Sequence, residues 1–123
     1  MTTYTVDKDG NSIETSKATS MPSDRHFRGA WTLSGTVISE DLATAKTMFK
    51  DKIRDVRKPL LEAQDVLYMK AIEDGDSSAQ STVATKKKEL RDAPAASAIT
   101  NAKTVAELKS AWNTSLLGTS PYA

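Results

Sequence analysis

No cysteine occurs among the 123 residues. Disulfides, thiolate nucleophiles and cysteine-ligated zinc are therefore excluded, while the redox compartment stays open. Apolar residues make up 38% of the chain, below the roughly 45–50% usual for globular domains, so a single deep core is not expected. An excess of one charge is also lacking. Seventeen basic residues face sixteen acidic ones, which leaves no overall field to steer the chain onto nucleic acid or an anionic membrane. No apolar run approaches the roughly 20 residues of a spanning helix, and the opening MTTYTVDKDG lacks the basic-then-apolar pattern of a signal peptide. These absences predict a soluble, unexported protein of one small domain.

What is present divides the chain in three. In YTVDKDGNSIET, an Asp9-Gly10 turn predicts a hairpin with Val6 opposite Ile13 and Tyr4 opposite Thr15. Small polar residues from Ser16 to Ser23, around Pro22, suit a linker. HFRGAWTLSGTVI then alternates Phe27, Gly29, Trp31 and Leu33, and a Ser34-Gly35 turn would set Trp31 against Ile38 in a second hairpin. Residues 1–38 thus read as a β-hairpin docking region.

A helix is expected to start at Ser39, whose hydroxyl can cap it, with Glu40 and Asp41 placed where the dipole favours negative charge. Its apolar positions Phe49, Ile53, Val56, Leu60, Ala63 and Leu67 advance by four, three, four, three and four residues, forming one narrow seam. Pro59 lacks an amide hydrogen, so a kink or two abutting helices are expected there. Gly75 can close this run in a left-handed conformation. Ser77 and Gln80 have capping-box spacing for a second helix that stops before Pro94, with Val83, Ala84 and Leu90 as inward contacts. Thr104 and Glu107 repeat the spacing ahead of Val105, Leu108, Ala111 and Trp112, predicting a short C-terminal helix. The fold class is mainly α with a small N-terminal β region: a helical bundle over 39–113, built on a long helix and two shorter ones. A tail of no periodicity, 114–123, follows.

The chemistry offered by these residues is sparse. His26 is the single histidine, and only Asp24 stands near it in sequence as a further metal ligand, so a loop histidine is the simpler reading. No nucleophile-elbow pattern is present, and EDGD lacks the spaced ligands of a calcium loop. No catalytic, metal or cofactor site is expected. Lys50, Lys52, Arg54, Arg57 and Lys58, and then Lys86, Lys87, Lys88 and Arg91, form two basic runs. Asp51, Asp55, Glu62, Glu89 and Asp92 are interspersed, which favours solvated faces or inter-helix salt bridges over phosphate contacts. The seam is expected to pack on other chains, the alternative being packing against the later helices of its own chain.

Read together, PSDRHFRGAWTLSGTVISEDLATAK, KIRDVRKPLLEAQDVLYMKAIEDGD and KKKELRDAP resemble small proteins encoded beside tail-fibre genes of tailed bacteriophages. The later part is also similar to phage tail assembly chaperones, in the order Arg54, Arg57, Leu60, Leu61, Asp65, then Leu90, Arg91, Asp92 and Pro94. The resemblance spans about Pro22 to Trp112. It implies a non-enzymatic structural or interaction protein of the virion tail, associated with a fibre or the baseplate and made in the host cytoplasm. A transient fibre-assembly chaperone is the alternative, and a nucleic-acid-binding module using the lysine-rich second helix is the more distant one. The implied partners are tail-fibre or baseplate proteins, with a homo-oligomer, a trimer above all, formed through the seam. Phe27 and Trp31, flanked by Arg25 and Arg28, are the expected docking anchors, because aromatic and arginine side chains dominate interface energetics. Filling the local core is the competing role for both aromatics.

Overall fold

The computed structural model describes residues 3–22 and 25–122. Ser23, at the end of the expected linker, and Asp24, the expected neighbour of His26, lie outside the described residues. The molecule is mainly α with a small N-terminal β region. Strands β1 (Tyr4–Val6) and β2 (Ser12–Glu14) form one antiparallel pair, and β3 (Trp31–Ser34) and β4 (Val37–Glu40) form another. Helices α1 (Leu42–Glu73), α2 (Ser77–Asp92), α3 (Ser97–Asn101), α4 (Val105–Ser110) and α5 (Thr114–Leu117) follow.

The first hairpin is shifted by one residue from the expected register: Thr5 faces Ile13, and Tyr4 faces Glu14. Its loop holds three residues, closed by the Asp7 amide donating to the Asn11 carbonyl at 2.8 Å, with Gly10 at φ 86. That is the three-residue loop with a left-handed glycine rather than a two-residue turn. A one-residue shift exchanges the faces; Thr5 is buried while Tyr4 and Val6 are exposed. Asp7 is the cause. One of its carboxylate oxygens accepts the amides of Asp9 at 3.0 Å and Asn11 at 2.8 Å, and the other accepts the amide of Leu33 at 2.9 Å. The residue therefore shapes its own loop and ties it to β3.

The Leu33 amide, followed by those of Asn11 and Asp9, lowers the Asp7 pKa below its ordinary 3.8 against the opposing effect of burial. A depressed carboxylate pKa contributes stability that is complete above the unfolded value and vanishes as pH falls through the folded one. Thermal melts of wild type and Asp7→Asn should therefore differ at neutral pH, with wild type the more stable. The gap should close below about pH 4. A gap constant down to about pH 2 would contradict this assignment.

In the second hairpin the two-residue turn is Gly35-Thr36, so Trp31 pairs with Glu40 and Leu33 with Ile38. Gly35 has φ 64 and Thr36 does not share the positive sign, matching a turn with glycine at its first central position. The strand expected to begin near Phe27 starts only at Trp31, because Arg28–Ala30 forms a tight 3-10 turn. The expected linker is not free either: Ser20 bridges to Val37, and its carbonyl accepts the Ile38 amide at 2.8 Å.

Ser39 and Glu40 belong to β4, and the helix cap falls two residues later at Asp41. The Asp41 carboxylate accepts the Thr44 hydroxyl at 2.6 Å, and that bond heads the causes that lower its pKa. Pro59 does not split the helix. Helix α1 runs through it as one element of 32 residues, about 48 Å at 1.5 Å per residue. Pro59 is exposed there, so the carbonyl it cannot pair is open to water. The end is a Schellman closure: Gly75 at φ 65 donates to Ile72, and Asp76 donates to Ala71 at 2.9 Å. Asp76, not Ser77, caps α2, accepting the Ala79 amide at 3.0 Å.

Helix α2 folds back on α1, and the core forms between the first half of α1 and everything C-terminal to α2. Phe49, Ile53, Leu90, Ile99, Leu108, Trp112 and Leu117 are buried in one cluster with Phe27 and Ala30. Residues 114–122 do not trail as a tail. Asn113 caps α5 by accepting the Leu116 amide at 3.1 Å, and the Trp112 indole donates to the Gly118 carbonyl at 3.1 Å. Tyr122 then stacks on Phe27 at 4.9 Å and on Phe49 at 5.4 Å between ring centres. The low apolar content is thus concentrated at one end of the molecule.

Candidate functional site

The seam read from the sequence divides at mid-helix. Phe49 and Ile53 have no exposed surface to speak of, at 0% and 1%, and Val56 and Leu60 are partly buried against the same cluster. This half is covered by the chain's own later helices, contrary to the expected contact between chains. The cause is that α3, α4, α5 and the link between the last two bring Ile99, Leu108, Leu117 and Trp112 onto α1, apolar residues spread too irregularly to show as a facing seam. Ala63 and Leu67, the far half, are exposed.

The expected docking anchors are corrected in the same way. Phe27 and Trp31 are 0% and 1% exposed; Phe27 belongs to the aromatic cluster and Trp31 is the first residue of β3. They fill the interior and present no docking surface. Arg25 and Arg28 beside them are exposed. The Trp31 indole nitrogen is buried without a hydrogen-bond partner among the described residues.

Beyond Leu60 the long helix leaves the core behind. Val66 is 69% exposed, Leu67 49%, Met69 58% and Ile72 47%, a concentration of uncovered apolar side chains within two turns. Val66 and Met69 are three residues apart and share a face, and Ile72 continues the same step. Helix α2 covers only part of this end. Val83 is buried and Ala71 faces it from α1, but Ala84, expected to point inward, is exposed. The sequence pattern missed Val66, Met69 and Ile72 because they lie off the seam; only their count among charged neighbours gave a signal.

Some charged groups of the two helices are paired, between the helices or within one. Lys87 of α2 meets Asp65 of α1 at 2.6 Å and lies 5.6 Å from the Tyr68 ring centre. Lys88 pairs with Asp92 at 3.7 Å and Arg54 with Asp51 at 2.8 Å. Exposed pairs of this kind contribute about 0–1 kcal/mol each. The first basic run is only partly answered, since Lys50, Arg54 and Arg57 face a shallow cleft together with Arg91. A larger cleft of about 520 Å³ opens between α2 and α5, with Ile53 and Leu117 at its base and Lys86, Glu89 and Asp92 at its rim.

His26 lies edge-on to Tyr122 at 5.5 Å, and burial raises the Tyr122 pKa above 10.0. Both observations belong to the aromatic cluster. Among the described residues no three metal-ligating side chains group together, and no helix is long and apolar enough to cross a membrane. No family model, curated protein or solved structure matches the chain.

Proposed function

We propose that the protein is a non-enzymatic interaction component of a bacteriophage tail, retained in the virion beside a fibre or the baseplate. One observation carries the docking part: Val66, Leu67, Met69 and Ile72 stand uncovered at the end of a 32-residue helix whose other end is anchored in the core. A helix-on-helix contact with a tail protein would cover them, and methionine adapts well to an uneven partner surface. The tail assignment itself comes from the resemblance. It is supported by the way the positions carrying that resemblance meet: Leu60 and Leu61 pack against the cluster that holds Leu90, and Arg57 donates to the carbonyls of Leu90 and Arg91.

Self-association through α1, a trimer included, would use this outer stretch, because the inner seam is already occupied. In purified particles, mass spectrometry should detect the wild-type protein. The double variant Val66→Asp/Met69→Asp should melt as wild type does yet fall about tenfold or more in particle content, as expected when two central contacts of a small interface are lost. Absence of the wild-type protein from particles, with fibre assembly still dependent on it, would establish the transient chaperone instead.

A further inference from the structure

The cleft between α1 and the end of α2 is lined by Lys50, Arg54, Arg57 and Arg91, with Pro94 and Ala95 as its apolar wall. No carboxylate contributes to the lining, although the chain as a whole is nearly neutral. We propose that this cleft binds an acidic segment of a partner protein, seating successive carboxylates on the row of cations. The inference is independent of the tail assignment and of the apolar stretch near Val66.

Three features of the geometry favour this occupant. First, Lys50, Arg54 and Arg57 are spaced by four and three residues and so share one face of α1, a row about 10 Å long. That exceeds one phosphate or carboxylate and suits two or three acidic side chains on an extended strand, where alternate residues lie about 7 Å apart. Second, the Arg57 guanidinium is already held. Arg57 directs Nη1 to the carbonyls of Arg91 at 2.6 Å and Leu90 at 3.3 Å. Of the five donors an arginine carries, these two contacts involve Nη1 alone, so the remaining fork is oriented at little further entropic cost. Third, the Asp51 carboxylate that meets Arg54 at 2.8 Å does so in an exposed pair within one helix, the weak kind that an incoming acid can displace at little cost.

A nucleic-acid backbone is the weaker occupant. The volume of the cleft is about 240 Å³, and no aromatic ring lines it for a base to stack on. Pro94 and Ala95 instead offer apolar contact to the methylene groups of glutamate side chains.

The test is a titration of the full chain with a capped hexaglutamate peptide, followed by amide NMR shifts at low salt. Shifts should localise to Lys50, Arg54, Arg57, Arg91 and Ala95. Arg91→Glu and, separately, Arg54→Glu should each weaken binding about tenfold, as expected for the loss and reversal of a charge-assisted contact. Lys52→Glu makes the same change of charge about 200° around α1 from Lys50, and should weaken it by less than about twofold. Arg54 and Arg91 are exposed, and unchanged melting would show that both variants remain folded. The proposal is overturned if no localised shifts appear, if Lys52→Glu weakens binding as much as Arg91→Glu, or if a short DNA duplex binds the same cleft more tightly than the peptide.

Discussion

Ile53→Asp is expected to abolish cooperative folding of the single chain. Ile53 is 1% exposed and sits among Phe49, Leu90, Trp112 and Leu117. Removing its side chain forfeits about 1.5–3 kcal/mol of burial. The carboxylate introduced there would be either charged and unpaired or neutralised at a pKa cost, a penalty of several kcal/mol more. Against a total stability of about 5–15 kcal/mol for a domain of this size, the combined loss leaves little or nothing. Circular dichroism melts combined with sedimentation would check it: wild type should melt cooperatively as a monomer, and the variant should show no transition. A variant that stays folded as a monomer while wild type is an oligomer would place Ile53 between chains instead.

Ending the chain after Asn113 should be nearly as damaging. The truncation removes Leu117 from the cluster, removes Tyr122 from its stacking contacts with Phe27 and Phe49, and removes the carbonyl that accepts the Trp112 indole hydrogen. Two lost burials and one orphaned donor amount to roughly 4–6 kcal/mol. For a domain of this length that lowers the melting temperature by at least about 10 °C. A shift of only about 2 °C would mean that residues 114–122 merely lie on the surface.

The elements written in local chemistry were the ones readable in advance. Gly75 closes α1, Pro94 follows the end of α2, and Thr104 accepts the Glu107 amide at 3.1 Å; each depends on residues within one turn of the helix end. Displacements arose where a second residue competed for the same task. Asp41 took the cap expected at Ser39, Asp76 the one expected at Ser77, and Asp7 reset a hairpin by reaching Leu33, far away in the chain. Aspartate brings negative charge to the dipole at both caps; the Asp76 carboxylate also accepts the Ala79 amide, whereas that of Asp41 is held by the Thr44 hydroxyl.

The candidate surfaces were legible in part. The row Lys50, Arg54, Arg57 directly follows the apolar positions Phe49, Ile53 and Val56, so its position beside the core could be read from spacing. Its partner Arg91 could not, because only the return of α2 brings it near. Leu117 and Tyr122 gave no periodic signal, since Leu117 ends a helix of four residues and Tyr122 lies beyond it, outside any helix or strand. For that reason the seam seemed to lack a cover, and a second chain was expected where the chain covers itself.

The stacking of Tyr122 on Phe27 and Phe49 also bears on the order of folding. Helices α1 and α2 are joined by a tight turn and meet through contacts close in sequence, the kind that form fastest. The aromatic cluster instead joins the second hairpin's approach to the far end of the described chain, and closing so long a loop costs entropy before any contact repays it. The helical hairpin should therefore be in place early, with the ring stack as the late step. Between the two, Phe49 and the rest of the inner seam stay open to solvent, so the species most prone to aggregate is a chain with its long helices made and its C-terminal helices not yet docked.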